Sequence, residues 1–295
     1  MIKLVLSDMD ETLKRANEPL VPKRTLKAIT ALKEAGIDFG PATGRSAYDA
    51  LPFYGFDARY LQTAICGSGK MVYGKGALVA KRVLSTKTLE RILQVIARYK
   101  DTYLAYFDEG PAEPPLDVSI RPAWMIFGVT QTQVDYINAH YDSFTAAQGP
   151  NTVPHDKGFI SVGILAPQDR LAREAMFDDV LTQIPEIDLV SPYTGWYDVN
   201  PKGFSKADGF KILLEYLNLA ADEVVFCGDS GNDLTLLELS PHSFCVGNGS
   251  DEAKAAATYT LNGTVDEEIV AQLMEALVAD GGDISGSHVQ ALIER

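Results

Sequence analysis

Four times along the chain a short apolar run of strand-like composition is followed by a cluster of polar or charged residues, and helix-like stretches lie between the runs. Ile2–Leu6 breaks into Ser7-Asp8-Met9-Asp10-Glu11-Thr12. Ile37–Ala42 leads into Thr43-Gly44-Arg45. Trp196–Val199 precedes Lys202-Gly203-Phe204-Ser205-Lys206, and Val224–Cys227 runs into Gly228-Asp229-Ser230-Gly231-Asn232-Asp233. Strands alternating with helices favour a parallel sheet covered on both faces. In open sheets of that kind the binding crevice lies outside the carboxyl ends of the strands. The pattern therefore predicts an α/β fold that gathers all four clusters at one edge.

The remaining elements fit this frame. Thr25–Ala35 has helical spacing of Leu26, Ile29, Ala31 and Leu32, with Gly36 as its stop. Leu61–Cys66 and Ser243–Val246 read as further strands, Asp233–Leu239 and Phe210–Leu217 as helices. Gly40 and Pro41 weaken the second strand. Between residues 84 and 199 the pattern changes. Helices are expected at Lys87–Lys100 and Gln168–Ile184, and strands at Tyr103–Phe107, Phe159–Leu165, Leu189–Tyr193 and Trp196–Val199. Gly110–Pro115 is Pro-rich and should be irregular. The expected organisation is a Rossmann-like parallel-sheet core over 1–83 and 200–295, with an α+β domain inserted at 84–199. Gly281–Gly286 should break the last helix, leaving Ser287–Arg295 as a short helix or a frayed end.

Charge narrows the function classes. Lys and Arg total 26 against 40 Asp and Glu, a net charge of −14. Such a chain repels nucleic acid and anionic lipid unless positive charge is locally concentrated, and no basic stripe is present. A phosphorylated substrate is repelled too, so a phosphate site must reverse the field locally. No apolar run is long enough for a membrane-spanning helix. Acid appears within the first ten residues, unlike a secretory leader. Three cysteines, Cys66, Cys227 and Cys245, lie in apolar stretches. They are expected to be buried free thiols of a reducing, cytoplasmic environment.

The clusters carry recognisable chemistry. Carboxylates at the tip of a buried strand are costly unless they bind something. In extended backbone Asp8 and Asp10 point to the same side, where they would share a proton or hold a cation; the alternative is a turn or helix cap using one of them. Thr43, the Gly44 amide and a following helix would cradle an anion, and Arg45 adds a planar fork suited to phosphate. Thr43 could equally be a plain N-cap. Asp229, Asn232 and Asp233 share a face if a helical turn starts there, or they form an ordinary loop. Lys206, or Lys202, is either a phosphate ligand or a solvated charge. Taken together, the four clusters suit a hard cation such as magnesium beside a phosphate-sized anion site.

In this order the strings Asp8-Met9-Asp10-Glu11-Thr12, Thr43-Gly44-Arg45, Lys206 and Gly228-Asp229-Ser230-Gly231-Asn232-Asp233 resemble the haloacid dehalogenase superfamily, and more narrowly its Cof-type, subclass IIB sugar-phosphatase-like branch. The resemblance covers about residues 1–83 and 200–262; the insert matches that branch's α+β cap in placement and size. It implies that Asp8 is the nucleophile that takes the phosphoryl group. Asp10 is implied as the acid that protonates the leaving alcohol and then the base that activates water. Asp8, the Asp10 carbonyl and Asp229 are implied as Mg2+ ligands. Thr43, Gly44 and Lys206 are implied as the phosphate clamp, Asn232 and Asp233 as the pair that orients Lys206 and the metal shell, and Arg45 as a contact to phosphate or substrate. The acid at Asp10 argues for phosphoryl transfer and against carbon–halogen cleavage. The chain departs from the family at Glu11, where glycine is common. It also has Gly67-Ser68-Gly69 where Asn-Gly-Ala is common, and Ala207 after the lysine where glycine is usual.

The function expected is a Mg-dependent phosphatase of small phosphorylated metabolites, with sugar phosphates as the expected class. A phosphomutase of the phosphomannomutase type and a non-catalytic phosphometabolite-binding protein are the alternatives. In the insert, His155, Asp156 and Lys157 are either substrate contacts or an exposed turn, and Trp196 and Tyr197 pack either a hinge or the insert's own core. None of these five is assigned to the site. Substrate and oligomeric state are left open.

Overall fold

The computed structural model describes residues 1–108, 114–119, 123–140 and 145–294. The Pro-rich stretch expected to be irregular bends at Pro114 and Pro115; its residues 110–113, like Arg295 in the tail, lie outside the described residues. The chain divides into two compact units. One comprises Met1–Ala80, Glu113–Val118 and Ser205–Arg295, the other Lys81–Ala112 and Ser119–Phe204.

In the first unit five parallel strands lie in the order Tyr259–Thr260, His242–Cys245, Val224–Gly228, Leu4–Ser7, Asp38–Pro41. Leu4–Ser7 is all buried and apolar up to its last residue, as a strand covered on both faces must be. The chain leaves this strand toward Asp38–Pro41 on one side and later returns as Val224–Gly228 on the other. Leu4–Ser7 therefore sits where the strand order reverses. Register fixes the rest: Ser7 pairs with both Pro41 and Cys227, so the three strands end within one residue of the same level. The residues just beyond those ends are Asp8, Ala42-Thr43 and Asp229.

Helices close both faces. Lys23–Glu34 buries Thr25, Ala28, Ile29 and Leu32, one helical stripe, and packs against Ile269–Ala279. On the opposite face Phe210 and Leu213 of the Lys206–Leu217 helix join Leu236 and Leu237 of Leu234–Leu239 over Leu4, Leu6, Val224 and Phe226. The third expected strand is shorter than its apolar run. Ala58–Leu61 is a 3-10 turn, and Ala64–Cys66 pairs antiparallel with Met71–Gly74, followed by Ala77–Lys81. A single bridge, Ala42 to Ile65, ties this hairpin to the edge strand. Gly40 makes the approach possible, because a Cβ there would stand 2.1 Å from the Thr63 carbonyl oxygen. Of the two readings of the tail, the short helix holds, at Ser287–Gln290.

The second unit is a six-stranded sheet in the order Ile187–Tyr193, Trp196–Pro201, Val162–Leu165, Tyr103–Phe107, Trp124–Ile126, Ala146–Gln148. All adjacent pairs are antiparallel except the last. Thr86–Ile96 and Arg170–Gln183 cover one face through Leu89, Ile92, Met176 and Val180; Gln131–His140 packs Val134 and Ile137 against the other. Both long helices end earlier than their apolar patterns suggest, and strand Val162–Leu165 starts later than Phe159, which makes only an isolated bridge to Leu84. Trp196 and Tyr197 pack in the two clusters on opposite faces of this sheet, so both serve the unit's own core. The His155 side chain is 76% exposed beside Glu90, and Lys157 pairs with Asp108.

Candidate active site

The level strand ends bring the sequence-predicted residues of the first unit together. Asp8 begins where the sheet pairing stops, its N–H still donating to the Cys227 carbonyl at 2.8 Å. Its Oδ1 accepts a hydrogen bond from Lys206 Nζ at 2.6 Å, and the same ammonium donates to Asp233 Oδ1 at 2.6 Å. Lys206 is fully buried at the first turn of its helix, where Asp208 Oδ2 accepts from both the N–H and the hydroxyl of Ser205. Lys202, the alternative, lies in the second unit and pairs with Asp188 at 2.6 Å with its side chain 63% exposed.

Asp233 is committed on both oxygens. Besides Lys206 on Oδ1, its Oδ2 accepts from the backbone N–H groups of Asp229 and Ser230 at 3.1 and 3.2 Å. The helix begins only at Leu234, so Asp229, Asn232 and Asp233 do not share a helical face; they form a turn closed by the Asp233 N–H to the Ser230 carbonyl at 2.9 Å. The turn aims Asp229 and Asp233 inward and leaves Asn232 half-buried, accepting from the Ser230 hydroxyl at 3.1 Å, while the Lys206 ammonium donates to Asp8 and Asp233. Asp229 Oδ1 accepts from Thr12 Oγ1 at 2.8 Å. Thr12 is a contact that the sequence pattern alone did not single out.

The carboxylate oxygens of Asp8, Asp229 and Asp233 lie within 4.8 Å of one another. Three acids face one ammonium, which leaves an excess of negative charge in a buried place. Burial, then the Asp233 charge, lifts the Asp229 carboxyl to about 7. Burial also holds Asp8 well above the usual carboxylate range; Lys206 opposes this, while Asp233 and Asp229 reinforce it. Burial disfavours the charged form of Lys206, but Asp233 and Asp8 outweigh it and keep the group firmly protonated. All-oxygen donors with surplus negative charge suit a divalent cation. The residues placed to hold one are Asp8 and Asp229, beside the already committed Asp233.

The second cluster meets the first through Asp10. Thr43 is buried, held by its N–H to the Ile65 carbonyl at 2.8 Å, and its hydroxyl accepts from the Arg45 N–H at 3.1 Å. It is not a helix cap; Ser46 caps the short Ala47–Ala50 helix, accepting from the Asp49 N–H at 3.2 Å. Gly44 lies between Thr43 and Arg45 in the same turn. Arg45 turns its guanidinium to Asp10, with Nε to Oδ2 at 2.7 Å and Nη2 to Oδ1 at 3.2 Å, and to Asp49 at 3.1 Å. Lys14 adds a third contact to Asp10, at 2.9 Å. Burial pushes the Asp10 carboxyl up, yet Arg45 and then Lys14 outweigh it and hold the group below its ordinary value. The Gly67-Ser68-Gly69 departure is a tight turn in which Ser68 has φ +55° and its buried hydroxyl finds no hydrogen-bond partner among the described residues.

Residues 5–274 match the haloacid dehalogenase-like hydrolase family, and the chain belongs to it. A Haemophilus influenzae protein named as a candidate phosphatase is 23% identical over 286 residues, 93% of this chain and 98% of that protein. Among solved structures, the subclass IIB sugar phosphatase BT4131 superposes with a TM-score of 0.74 at 19% identity, covering 92% of this chain and 98% of that one. The phosphatase BT1666 from Bacteroides thetaiotaomicron gives 0.73 at 22% identity, covering 96% of each. The two structures share this fold.

Proposed function

We propose that the protein is a Mg-dependent phosphatase that hydrolyses small phosphorylated metabolites, sugar phosphates in particular, through a phosphorylated Asp8. The single observation that carries this reading is the buried group of Asp8, Asp229 and Asp233 around Lys206, with Asp10 two residues from Asp8. The names of the relatives and the fold of the sugar phosphatase point the same way. Three buried free cysteines agree with a cytoplasmic location.

Asp8 attacks phosphorus. A carboxylate approaching a phosphate dianion meets like charge, so the site must supply positive charge where the two come together. Lys206 supplies one such charge, fixed by Asp233 so that it need not reorganise. A divalent cation held by Asp8, the Asp10 carbonyl and Asp229 would supply the remainder. The Thr43 hydroxyl and the Gly44 amide bind the phosphoryl oxygens, and Arg45 leaves Asp10 for the arriving anion. Asp10 gives a proton to the leaving alcohol; as its carboxylate it then takes one from the water that attacks the phosphorylated Asp8. Covalent capture divides one slow displacement into two.

The test is phosphate release from a panel of hexose phosphates, pentose phosphates and nucleotides, with and without Mg2+. Turnover that needs the cation and falls to background in Asp8→Asn is the expected result. Asp8→Asn that still releases phosphate removes the nucleophile assignment. Isomerised sugar phosphate with little free phosphate would show a mutase instead.

A further inference from the structure

Lys14 occupies a place that neither the phosphate clamp nor the acidic group explains. A tight turn brings it there: the N–H groups of Leu13 and Lys14 donate to the Met9 carbonyl at 2.9 and 3.0 Å, and the Glu11 N–H donates to the Lys14 carbonyl at 2.7 Å. The side chain is 0% exposed. All three ammonium protons have acceptors, Asp10 Oδ1 at 2.9 Å and the carbonyls of Arg15 and Ala16 at 2.8 and 3.3 Å. The ammonium also stands 4.3 Å from the centroid of the Phe53 ring. A buried ammonium is expensive to keep unless paired, and Asp10 is the one carboxylate paired with it among the described residues.

Arg45 holds the same carboxylate differently. It bridges both oxygens, has Asp49 as a second partner, retains 17% side-chain exposure and stacks 4.5 Å from the same Phe53 ring. Arg45 donates to both oxygens of Asp10, which favours the bare carboxylate, so a proton is taken up once Arg45 is released. Arg45 has another carboxylate to turn to; Lys14 is locked in by its backbone acceptors.

We infer that Lys14 is a positioning residue for Asp10: it anchors Oδ1, and so makes Oδ2 the oxygen that carries the proton once Arg45 lets go. The inference rests on the reading of Asp10 as acid and then base. Once Arg45 lets go, Oδ2 takes up a proton from solvent. In the first step the Asp8–phosphorus bond forms and the ester P–O bond breaks; the electron pair of the broken bond stays on the alcohol oxygen, which takes that proton from Oδ2. In the second step water attacks phosphorus and gives a proton to Oδ2, and the Asp8–phosphorus bond breaks. Oδ1 accepts from Lys14 throughout, because a carboxyl keeps an acceptor oxygen whether or not its partner oxygen is protonated.

Leaving-group dependence tests this. Nitrophenolate departs from p-nitrophenyl phosphate without needing a proton, whereas a sugar alcohol needs one. Values of kcat/KM with Mg2+, which report phosphorylation of Asp8 and not the later hydrolysis common to both substrates, are compared for p-nitrophenyl phosphate and for the hexose phosphate turned over fastest in the panel. Lys14→Met should lower kcat/KM on the hexose phosphate on the order of 10- to 100-fold, short of the ~10²–10⁴-fold attributable to a whole acid–base group. It should lower kcat/KM on p-nitrophenyl phosphate far less. Lys14→Arg should restore much of the ratio between the two substrates. Asp10→Asn serves as the reference and should separate the substrates more widely. Equal losses on both substrates in Lys14→Met, where Asp10→Asn separates them, overturn the role of Lys14 and leave the phosphatase reading intact. If Asp10→Asn fails to separate them, the acid assignment falls and that of Lys14 with it. Should Lys14→Met not fold, Lys14→Gln carries the same comparison with the same deciding ratio.

Discussion

Asp229 is under two opposed demands. A cation site needs its negative charge, but burial and Asp233 make that charge costly and lift the carboxyl to about 7. Asp229→Asn removes the crowding while keeping an acceptor for Thr12. It should raise the stability of the metal-free protein by about 1–2 kcal/mol, a size typical for relieving a buried like-charge contact. The same change should abolish any rise in melting temperature on adding Mg2+. Thermal unfolding with and without the cation checks both. Lys206 presents the opposite case: it is the one ammonium paired with Asp8 and Asp233 among the described residues. Lys206→Met leaves those carboxylates uncompensated and should cost about 3–5 kcal/mol, as breaking a buried pair does, with phosphate release lost. Glu11, which stands where the family prefers glycine, adopts φ +60°. Its side chain meets part of the conformational cost by accepting from the Ala16 N–H at 2.7 Å.

At the scale of elements, the hairpin after the third strand sets where Lys206 can stand. Gly69 has φ +96°, and a Cβ there would lie 2.2 Å from the Ser205 carbonyl oxygen and 3.4 Å from the Lys206 nitrogen. Gly69→Ala must therefore push back the start of the Lys206–Leu217 helix. A loss of about 1–3 kcal/mol is expected from the strained backbone, together with reduced phosphate release, because Lys206 Nζ leaves the 2.6 Å geometry it holds with Asp8. Denaturant unfolding alongside activity separates the two effects. The hairpin was only partly legible in the sequence. Leu61–Cys66 reads as one apolar run, yet only Ala64–Cys66 is strand and Leu61 closes the 3-10 turn Ala58–Leu61; periodicity cannot tell a short strand from a turn that packs its apolar residues. Trp124–Ile126 and Ala146–Gln148 escape for a related reason: three residues are too few to show alternation.

For the molecule as a whole, the acidic group links stability, pH and cation. The Asp229 carboxyl binds its proton more tightly in the folded protein than in the unfolded chain, where the ordinary value is about 3.9. Its contribution to stability is therefore complete below about pH 4 and is lost as pH rises toward about 7. A divalent cation bound at these carboxylates would take the place of the proton, so it would compete with protons at low pH. The rise in melting temperature on adding Mg2+ should be small near about pH 5 and larger near about pH 8. At a cation concentration ~100 times its Kd the stabilisation should approach about 2.7 kcal/mol. An equal rise at both pH values would place the cation somewhere other than these carboxylates.

The sequence by itself determined the alternation of apolar runs and helices, and with it the parallel core and the edge at which the polar clusters gather. Those features follow from local apolar periodicity and from the rules for connecting parallel strands, which hold without knowledge of the partners. It also singled out Asp8, Asp229 and a lysine, Lys206 or Lys202, because acids and a lysine next to buried strands demand an explanation wherever they occur. Only the tertiary structure set Lys206 beside Asp8 and Asp233 and Lys202 beside Asp188, bonded Asn232 to the Ser230 hydroxyl, and paired Arg45 with Asp10. It alone brought Lys14 and Thr12 to the carboxylates. These outcomes depend on strand register, on the turn after Gly228 and on burial. Thr12 meets Asp229 from 217 positions away, Lys206 meets Asp8 from 198 and Arg45 meets Asp10 from 35, and no local pattern contains those contacts; Lys14 stands only four residues from Asp10, but a turn rather than a helix brings it there.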